Sequence, residues 1–357
     1  MAEKTAIKGK IYKCGSCGSI LCFDPKSQKL KCTHCNSYEE LTNVSGAFEI
    51  PYDKDSETGY TPWGDAKVVK CRSCGAEFAV NDYETATSCP FCGTTNIMRT
   101  DDIPGIKPNA ILPFRVTQEE ARDSFVAWLK KRAMSPNNLR KLAEAKDLKG
   151  LYVPVFTFDA NTHSRYSIRY GINRTVTVGS GKERRTIVVT DWYTDTGSLD
   201  HSFNDVQVEA SQYINQRNIY KTGSFDSDNA VLYNSQYIAG FTAERYSTSL
   251  DESWQTAKAT MDDSIRARIL SRYSYDELDY LNVDTIYKDK TYKYLLAPIW
   301  LYVYNYKGKQ YTCVINGRNG NADGVAPLSK IKVALVSIAG AAALAGIVYL
   351  IYKFIIQ

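Results

Sequence analysis

Hydrophobic and polar positions follow three rhythms along this chain, and each predicts a different kind of element. A period near 3.6 appears first at Ala121, Phe125, Trp128, Leu129 and Arg132, behind a capping box of Thr117 and Glu120. That combination predicts a helix over 117–132. Ser135-Pro136 opens a shorter helix to about Lys146, with proline at the permitted first position. Ser249-Leu250-Asp251-Glu252 begins a long helix to about Arg272, whose buried face is Trp254, Ala257, Met261, Ile265 and Ile269.

A period of two takes over from Leu151. Leu151 to Phe158 is almost continuously apolar and reads as a buried strand. Strands continue over 166–170, 175–178 and 185–194, with turns expected at Gly171 and at Gly179-Ser180-Gly181. Residues 195–245 are polar and show no clear strand pattern. Residues 284–316 return to strand, with a turn at Lys307-Gly308 and a hairpin partner over 310–315. Pro154 and Pro298 interrupt apolar runs and suggest edges or bulges there. Residues 105–328 therefore read as one α+β domain with a mostly antiparallel sheet and helices.

The third rhythm is no rhythm at all. Residues 333–352 carry no charge, and Lys330, Lys332 and Lys353 flank them. At about 1.5 Å per residue this stretch matches the roughly 30 Å of a hydrocarbon core, so one C-terminal transmembrane helix is expected, contacting membrane lipid through 333–352. Tyr349 and Tyr352 lie where interfacial aromatics sit. Its small residues, among them Ala339, Gly340, Ala343 and Gly346, permit close helix pairing and hence a homo-oligomer.

The N-terminal hundred residues belong to the cysteines. Cys14, Cys17, Cys32 and Cys35 form two Cys-x-x-Cys pairs, and Cys71, Cys74, Cys89 and Cys92 repeat them with the same inner spacing of fourteen. Four sulfurs on two short knuckles match a tetrahedral Zn2+ site. Gly18, Asn36, Gly75 and Gly93 follow the second cysteine of each pair, where the backbone must turn with φ above zero. Two zinc ribbons are expected, at 10–45 and 65–100, each with a hairpin between its knuckles and each holding one structural ion. Both sites are complete with four cysteines, so His34 is not needed and neither site looks catalytic. A disulfide framework would use the same eight cysteines, but long equal gaps and the lack of a signal-like start at residues 1–10 favour metal.

Composition changes little in this picture. The net charge of +5 over 357 residues is too mild to demand nucleic acid, although residues 1–40 carry seven Lys/Arg against four Asp/Glu. Reduced thiols imply a reducing compartment, which places the bulk of the chain in the cytoplasm. Gly179-Ser180-Gly181-Lys182 lacks the rest of a P-loop, the three histidines form no metalloprotease motif, and no nucleophile elbow occurs. No motif supports an enzyme.

With its cysteine pairs, Leu148-Lys149-Gly150-Leu151-Tyr152-Val153-Pro154 and Ala297-Pro298-Ile299-Trp300-Leu301, the chain resembles a family of bacterial proteins. They are labelled transcription-factor-IIB-type zinc-ribbon proteins, or loosely primosomal helicase-like. The resemblance covers most of the chain up to the anchor and implies zinc, not a defined activity. The expectation is a single-pass membrane protein that acts as a cytoplasmic adaptor or scaffold and recruits a protein partner. The alternatives are nucleic-acid binding at the membrane and an enzyme in the sheet domain.

Overall fold

The structure, a computed structural model, describes residues 12–42, 46–53, 67–80, 88–99, 105–136, 139, 148–214 and 216–356. The first ribbon contains β1 (Leu21–Asp24), β2 (Lys29–Cys32) and β3 (Tyr38–Glu39), a three-stranded antiparallel sheet. Asp24 closes its turn by accepting from the Ser27 amide at 3.0 Å. β4 (Ile50–Pro51) follows. The second ribbon contains β5 (Lys67–Cys71), β6 (Glu77–Val80) and β7 (Ile97–Arg99). The sequence pattern predicts a hairpin between the knuckles of each ribbon. In the first that holds. In the second, β6 pairs backwards with β5, which precedes the first knuckle, and β7 lies on the other side of β5. The expected turn at 81–82 and most of the returning strand lie outside the described residues.

β8 (Ala110–Ile111) leads into α1 (Gln118–Lys130). Thr117 and Glu120 form the expected capping box, and Ala121, Phe125, Trp128 and Leu129 are buried. Most of the helix expected from Pro136 to about Lys146 lies outside the described residues. Next come β9 (Lys149–Val178) and β10 (Arg185–Glu209), one long hairpin turning at 179–184. α2 (Gln216–Lys221), β11 (Val231–Leu232), β12 (Thr242–Glu244) and α3 (Leu250–Leu270) follow. β13 (Glu277–Tyr306), β14 (Lys309–Asn316), β15 (Ala322–Gly324) and α4 (Lys330–Ile356) complete the chain.

The large sheet runs β11-β8-β13-β9-β12-β6-β5-β7, with β10 beside β9, β14 and β4 beside β13, and β15 beside β14. Its axis is the antiparallel contact of β9 with β13. The burial of β9 explains its sequence. From Leu151 to Phe158 both faces are covered. Tyr152, Phe156 and Phe158 pack with α1, α3 and the first ribbon, while Leu151, Val153 and Val155 pack with Ile214, Ile219 and Phe225 around α2. Beyond Asp159 the pattern alternates: Ala160, Thr162, Ser164, Tyr166 and Ile168 are buried, while Asn161, Arg165 and Arg169 are exposed. There α3 covers one face only, through Ile265 and Ile269 against Tyr166 and Ile168. The last twenty residues of β9 thus belong to an arm about 65 Å long at a strand rise of 3.3 Å.

Four sequence expectations change here. Gly171 is inside β9, where a Cβ would come within 2.4 Å of Thr190 Cγ2; it makes room for a neighbour and does not turn the chain. Residues 195–209 are strand, the polar half of β10, because an edge strand with an open face needs little apolar patterning. Pro154 and Pro298 lie on neither an edge nor a bulge. Each sits where the outer neighbour of its strand changes. β10 ends opposite Val155 and β12 pairs with Leu151 and Tyr152, so the missing N–H of Pro154 falls in the gap. Pro298 lies likewise between β8, at Leu296, and β14, at Ile299.

At the other end of the body, the C-terminus of α1 meets the start of α4. Arg132 donates to Asp323 Oδ1 at 2.9 Å and lies over the Trp128 ring at 4.2 Å. The Ser329 amide donates to Met134 O at 2.8 Å, and Lys332 Nζ to Ala133 O at 3.0 Å and Ser135 O at 2.8 Å. The base of the sheet is tied by an aromatic group. Phe114, fully buried, stacks on Phe241 at 4.4 Å and meets Tyr152 at 5.0 Å and Trp300 at 5.1 Å. Its carbonyl accepts from Gln28 Nε2 of the first ribbon at 2.7 Å. Phe114→Ala is expected to lower unfolding stability by about 3–5 kcal/mol, read as a shifted midpoint with unchanged slope in denaturant titration of the full-length protein.

Candidate metal centres

Each knuckle is a tight turn closed by its own backbone. The amides of Gly18, Asn36, Gly75 and Gly93 donate to the carbonyls of Cys14, Cys32, Cys71 and Cys89 at 2.8, 3.2, 2.9 and 3.0 Å. All four closing residues have positive φ, at 75°, 59°, 84° and 75°. This is the left-handed conformation that the Gly and Asn positions require.

The turns bring eight sulfurs into two groups. Cys14, Cys17, Cys32 and Cys35 lie within 4.8 Å of one another, and so do Cys71, Cys74, Cys89 and Cys92. Sγ pairs stand at 3.6 Å (Cys14–Cys35), 3.5 Å (Cys17–Cys32), 3.6 Å (Cys71–Cys92) and 3.7 Å (Cys74–Cys89). A tetrahedron with metal–sulfur bonds of about 2.3 Å has edges of about 3.8 Å. A disulfide needs about 2.05 Å. The spacing is that of four ligands around one ion, and all eight cysteines are free thiols. His34 is not among either group; its amide points at Cys32 Sγ at 3.4 Å.

Four thiolates at this distance repel one another, and a divalent ion relieves the repulsion. The surroundings act unevenly on them: the Ser19 amide favours the Cys17 thiolate, but the neighbouring Cys35 and Cys32 prevail and push Cys17 up to about 12. The Ser37 hydroxyl, 3.0 Å from Cys14 Sγ and 3.1 Å from Cys35 Sγ, is the main cause that brings Cys14 down to about 6 and also lowers Cys35. Burial opposes ionisation at Cys71, but the amides of Cys74 and Ser73 prevail and bring it to about 7. Burial holds Cys74 and Cys89 above the ordinary thiol range. Ser37 was not foreseen from the sequence. The available signal was its place directly after the Asn36 that closes the knuckle.

Neither ribbon stands alone. In the first, Phe23 meets Tyr237 at 5.3 Å, and its amide donates to Ala239 O at 2.9 Å. In the second, β6 pairs with β12, and β12 runs parallel to β9, so the ribbon strands are part of the large sheet. Arg245, with 7% of its side chain exposed, pairs with Glu77 at 2.9 Å across that junction.

No family model matches this chain, and no solved structure matches it. Among curated proteins it is similar to the uncharacterized protein YdjG of Bacillus subtilis (strain 168), at 26% identity over 325 residues, covering 90% of this chain and 92% of that protein. The likeness therefore extends well beyond the cysteine region.

A third group of ligand-type residues lies at the root of the arm. β10 bulges between Phe203 and Val206, and β13 between Lys288 and Thr291. Asp205 and Asp289 there take positive φ, 54° and 49°. Glu49, Asp159 and Asp205 converge at this level, within 4.8 Å of one another. Two of the three already share a cation: Lys293 Nζ lies 2.7 Å from Glu49 and 2.6 Å from Asp205, with 10% of its side chain exposed. A metal ion there would be repelled by the ammonium, so this group reads as a structural ion cluster. Burial, reinforced by the neighbouring Glu49, raises Asp159 to about 6. By contrast, His163 and Asp200, 2.6 Å apart, are cross-strand neighbours on the open face of the arm.

Elemental analysis of the native protein is expected to return two metal equivalents per chain, and Cys14→Ser or Cys71→Ser to lose about one. At the root of the arm, Asp159 takes up a proton on folding. Its contribution to stability is present at low pH and is lost as pH rises from about 4 to about 6. Asp159→Asn should remove this term. Its stability relative to wild type is expected to improve by about 1 kcal/mol between pH 4 and pH 7, allowing for solvent screening of a half-buried group. Comparing the two proteins at each pH cancels the titration of the thiols.

Proposed function

We propose that this protein is a membrane-anchored cytoplasmic adaptor. In this reading the two four-cysteine clusters each hold a structural zinc ion, α4 crosses the bilayer as a C-terminal anchor, and the ribbons and sheet form a rigid platform that recruits a protein partner.

The observation that carries the reading is the state of α4. It is long and apolar enough to span a bilayer, and none of that apolar stretch is buried against the rest of the protein. Leu335, Ile338, Leu344 and Phe354 are exposed at 62–83%. A face this apolar is not stable in water and needs a cover. The start of the same helix is fixed to the body through Lys332 and Ser329. A helix held at its root and bare along its length supports the reading of α4 as an anchor. Zinc is favoured over other ions because closed sites of four thiolates in tetrahedral array suit it. An adaptor is favoured over an enzyme because both cysteine sites are complete. Among the described residues, Lys293 and Arg318 hold their carboxylates in ion pairs and His163–Asp200 lies on an open strand face, whereas the buried carboxyls Glu244 and Glu209 are held by Ser211 and Tyr220.

Cell fractionation tests the anchor. The full-length protein is expected to stay in the membrane pellet after an alkaline wash, and deletion of residues 333–352 to release it. Affinity capture from solubilised membranes then tests the adaptor. A protein partner should be recovered with wild type and lost with Cys71→Ser, whereas salt-sensitive recovery of nucleic acid alone would replace this reading with the second one.

A further inference from the structure

β10 is bonded to β9 along one side, and among the described residues its other side has no strand. At the tip of the arm the sheet narrows further. β13 reaches only Gly171, so the last seven pairs, from Ile172–Asp191 to Val178–Arg185, form a two-stranded ribbon. Exposed edges are usually blunted by lysine, proline or a bulge. The tip of this edge, from Arg185 to Asp191, has none of them; the bulge of β10 lies farther back, at Phe203–Val206. The run is Arg185-Thr186-Ile187-Val188-Val189-Thr190-Asp191, and its register with β9 is unbroken from Arg185 to Phe203. Ile187 is 37% exposed and Val188 66%.

The run is also complementary to itself. A second copy laid antiparallel, with a twofold axis normal to the sheet at Val188, places Arg185 opposite the Asp191 of its mate. Thr186 then faces Thr190, Ile187 faces Val189, and the two Val188 side chains meet. Opposite charges and β-branched pairs are the favourable cross-strand neighbours. A twofold axis repeats each of these contacts, so one strand supplies two ion pairs. The neighbouring symmetric registers, centred on Ile187 or Val189, lose both ion pairs and keep none of the threonine pairs. Asp191 already accepts from Arg174 Nε at its Oδ2, at 2.6 Å, which leaves Oδ1 for the mate. Arg185 has no ion pair among the described residues.

We propose that two copies of this chain associate through the free edge of β10 at the arm tip. The product is a four-stranded sheet, in the order β9-β10 of one copy and β10-β9 of the other.

The test uses the full-length protein in detergent. Val188→Cys is expected to form a covalent dimer on mild oxidation. Ser198→Cys lies ten residues along the same strand, about 65 Å from its mate, and is expected to form none, as is wild type with its ten cysteines. Arg185→Asp alone and Asp191→Arg alone should each weaken association about tenfold, measured as the concentration of half-dimerisation. Mixing these two variants should restore it, because every charge in the mixed pair then meets its opposite. A tip that had merely lost its fold would not be rescued by mixing. A wild-type protein that stays monomeric overturns the proposal. So does a dimer indifferent to both substitutions, which would place the contact elsewhere, as on the small-residue face of α4.

Discussion

The antiparallel contact of β9 with β13 is the constraint on which the other elements depend. The two strands are thirty residues each, and one end of their pairing is a core while the other is an arm. At the core end apolar residues are buried on both faces, because α2 and its surroundings close one side while α1, α3 and the first ribbon close the other. At the arm end only α3 remains, so half of the side chains return to water. Antiparallel pairing tolerates that exposure, since its backbone bonds are satisfied in the plane of the sheet and do not need a second layer.

The cysteine clusters attach to this frame in different ways. The first ribbon has its own small sheet and docks by side chains and a few backbone bonds, with Phe23 and Gln28 as its main contacts. The second is continuous with the large sheet through β6 and β12. Ribbons of this size bury too little apolar surface to be stable without metal. If each cluster holds an ion, its loss from the first would loosen a docked module, whereas its loss from the second would fray the edge of the main sheet. Ser37 extends the first site by one hydrogen-bonding partner, which lies outside the set of ligands.

Much of this was legible in the sequence wherever local chemistry decides structure. The capping boxes at Thr117 and Ser249, the buried stripe of α3 and the four positive-φ closures stand where periodicity and turn chemistry put them. The eight cysteines of the two repeats lie in two groups of four, grouped as their spacing implies. What stayed hidden depends on distant neighbours. β5 gives little sign from its own residues that it will pair with β6 rather than continue the linker. Gly171 looks like a turn until Trp192 and Thr190 are placed across from it. The two prolines look like interruptions until the outer strands are seen to change partners at those positions. Residues 195–209 lack an apolar rhythm because one of their faces is open, and a pattern made by burial cannot appear where burial is absent.

The fastening of α1 to the root of α4 has a mechanical meaning. A flexible tether would let the body tumble beneath its point of attachment. Lys332 and Ser329 remove that swivel by gripping three successive carbonyls just past α1. With α4 upright in a bilayer, the arm would then travel at one fixed height as the molecule diffuses and rotates. Whatever it touches would have to lie in that thin layer, and two such molecules would present their tips to each other already level.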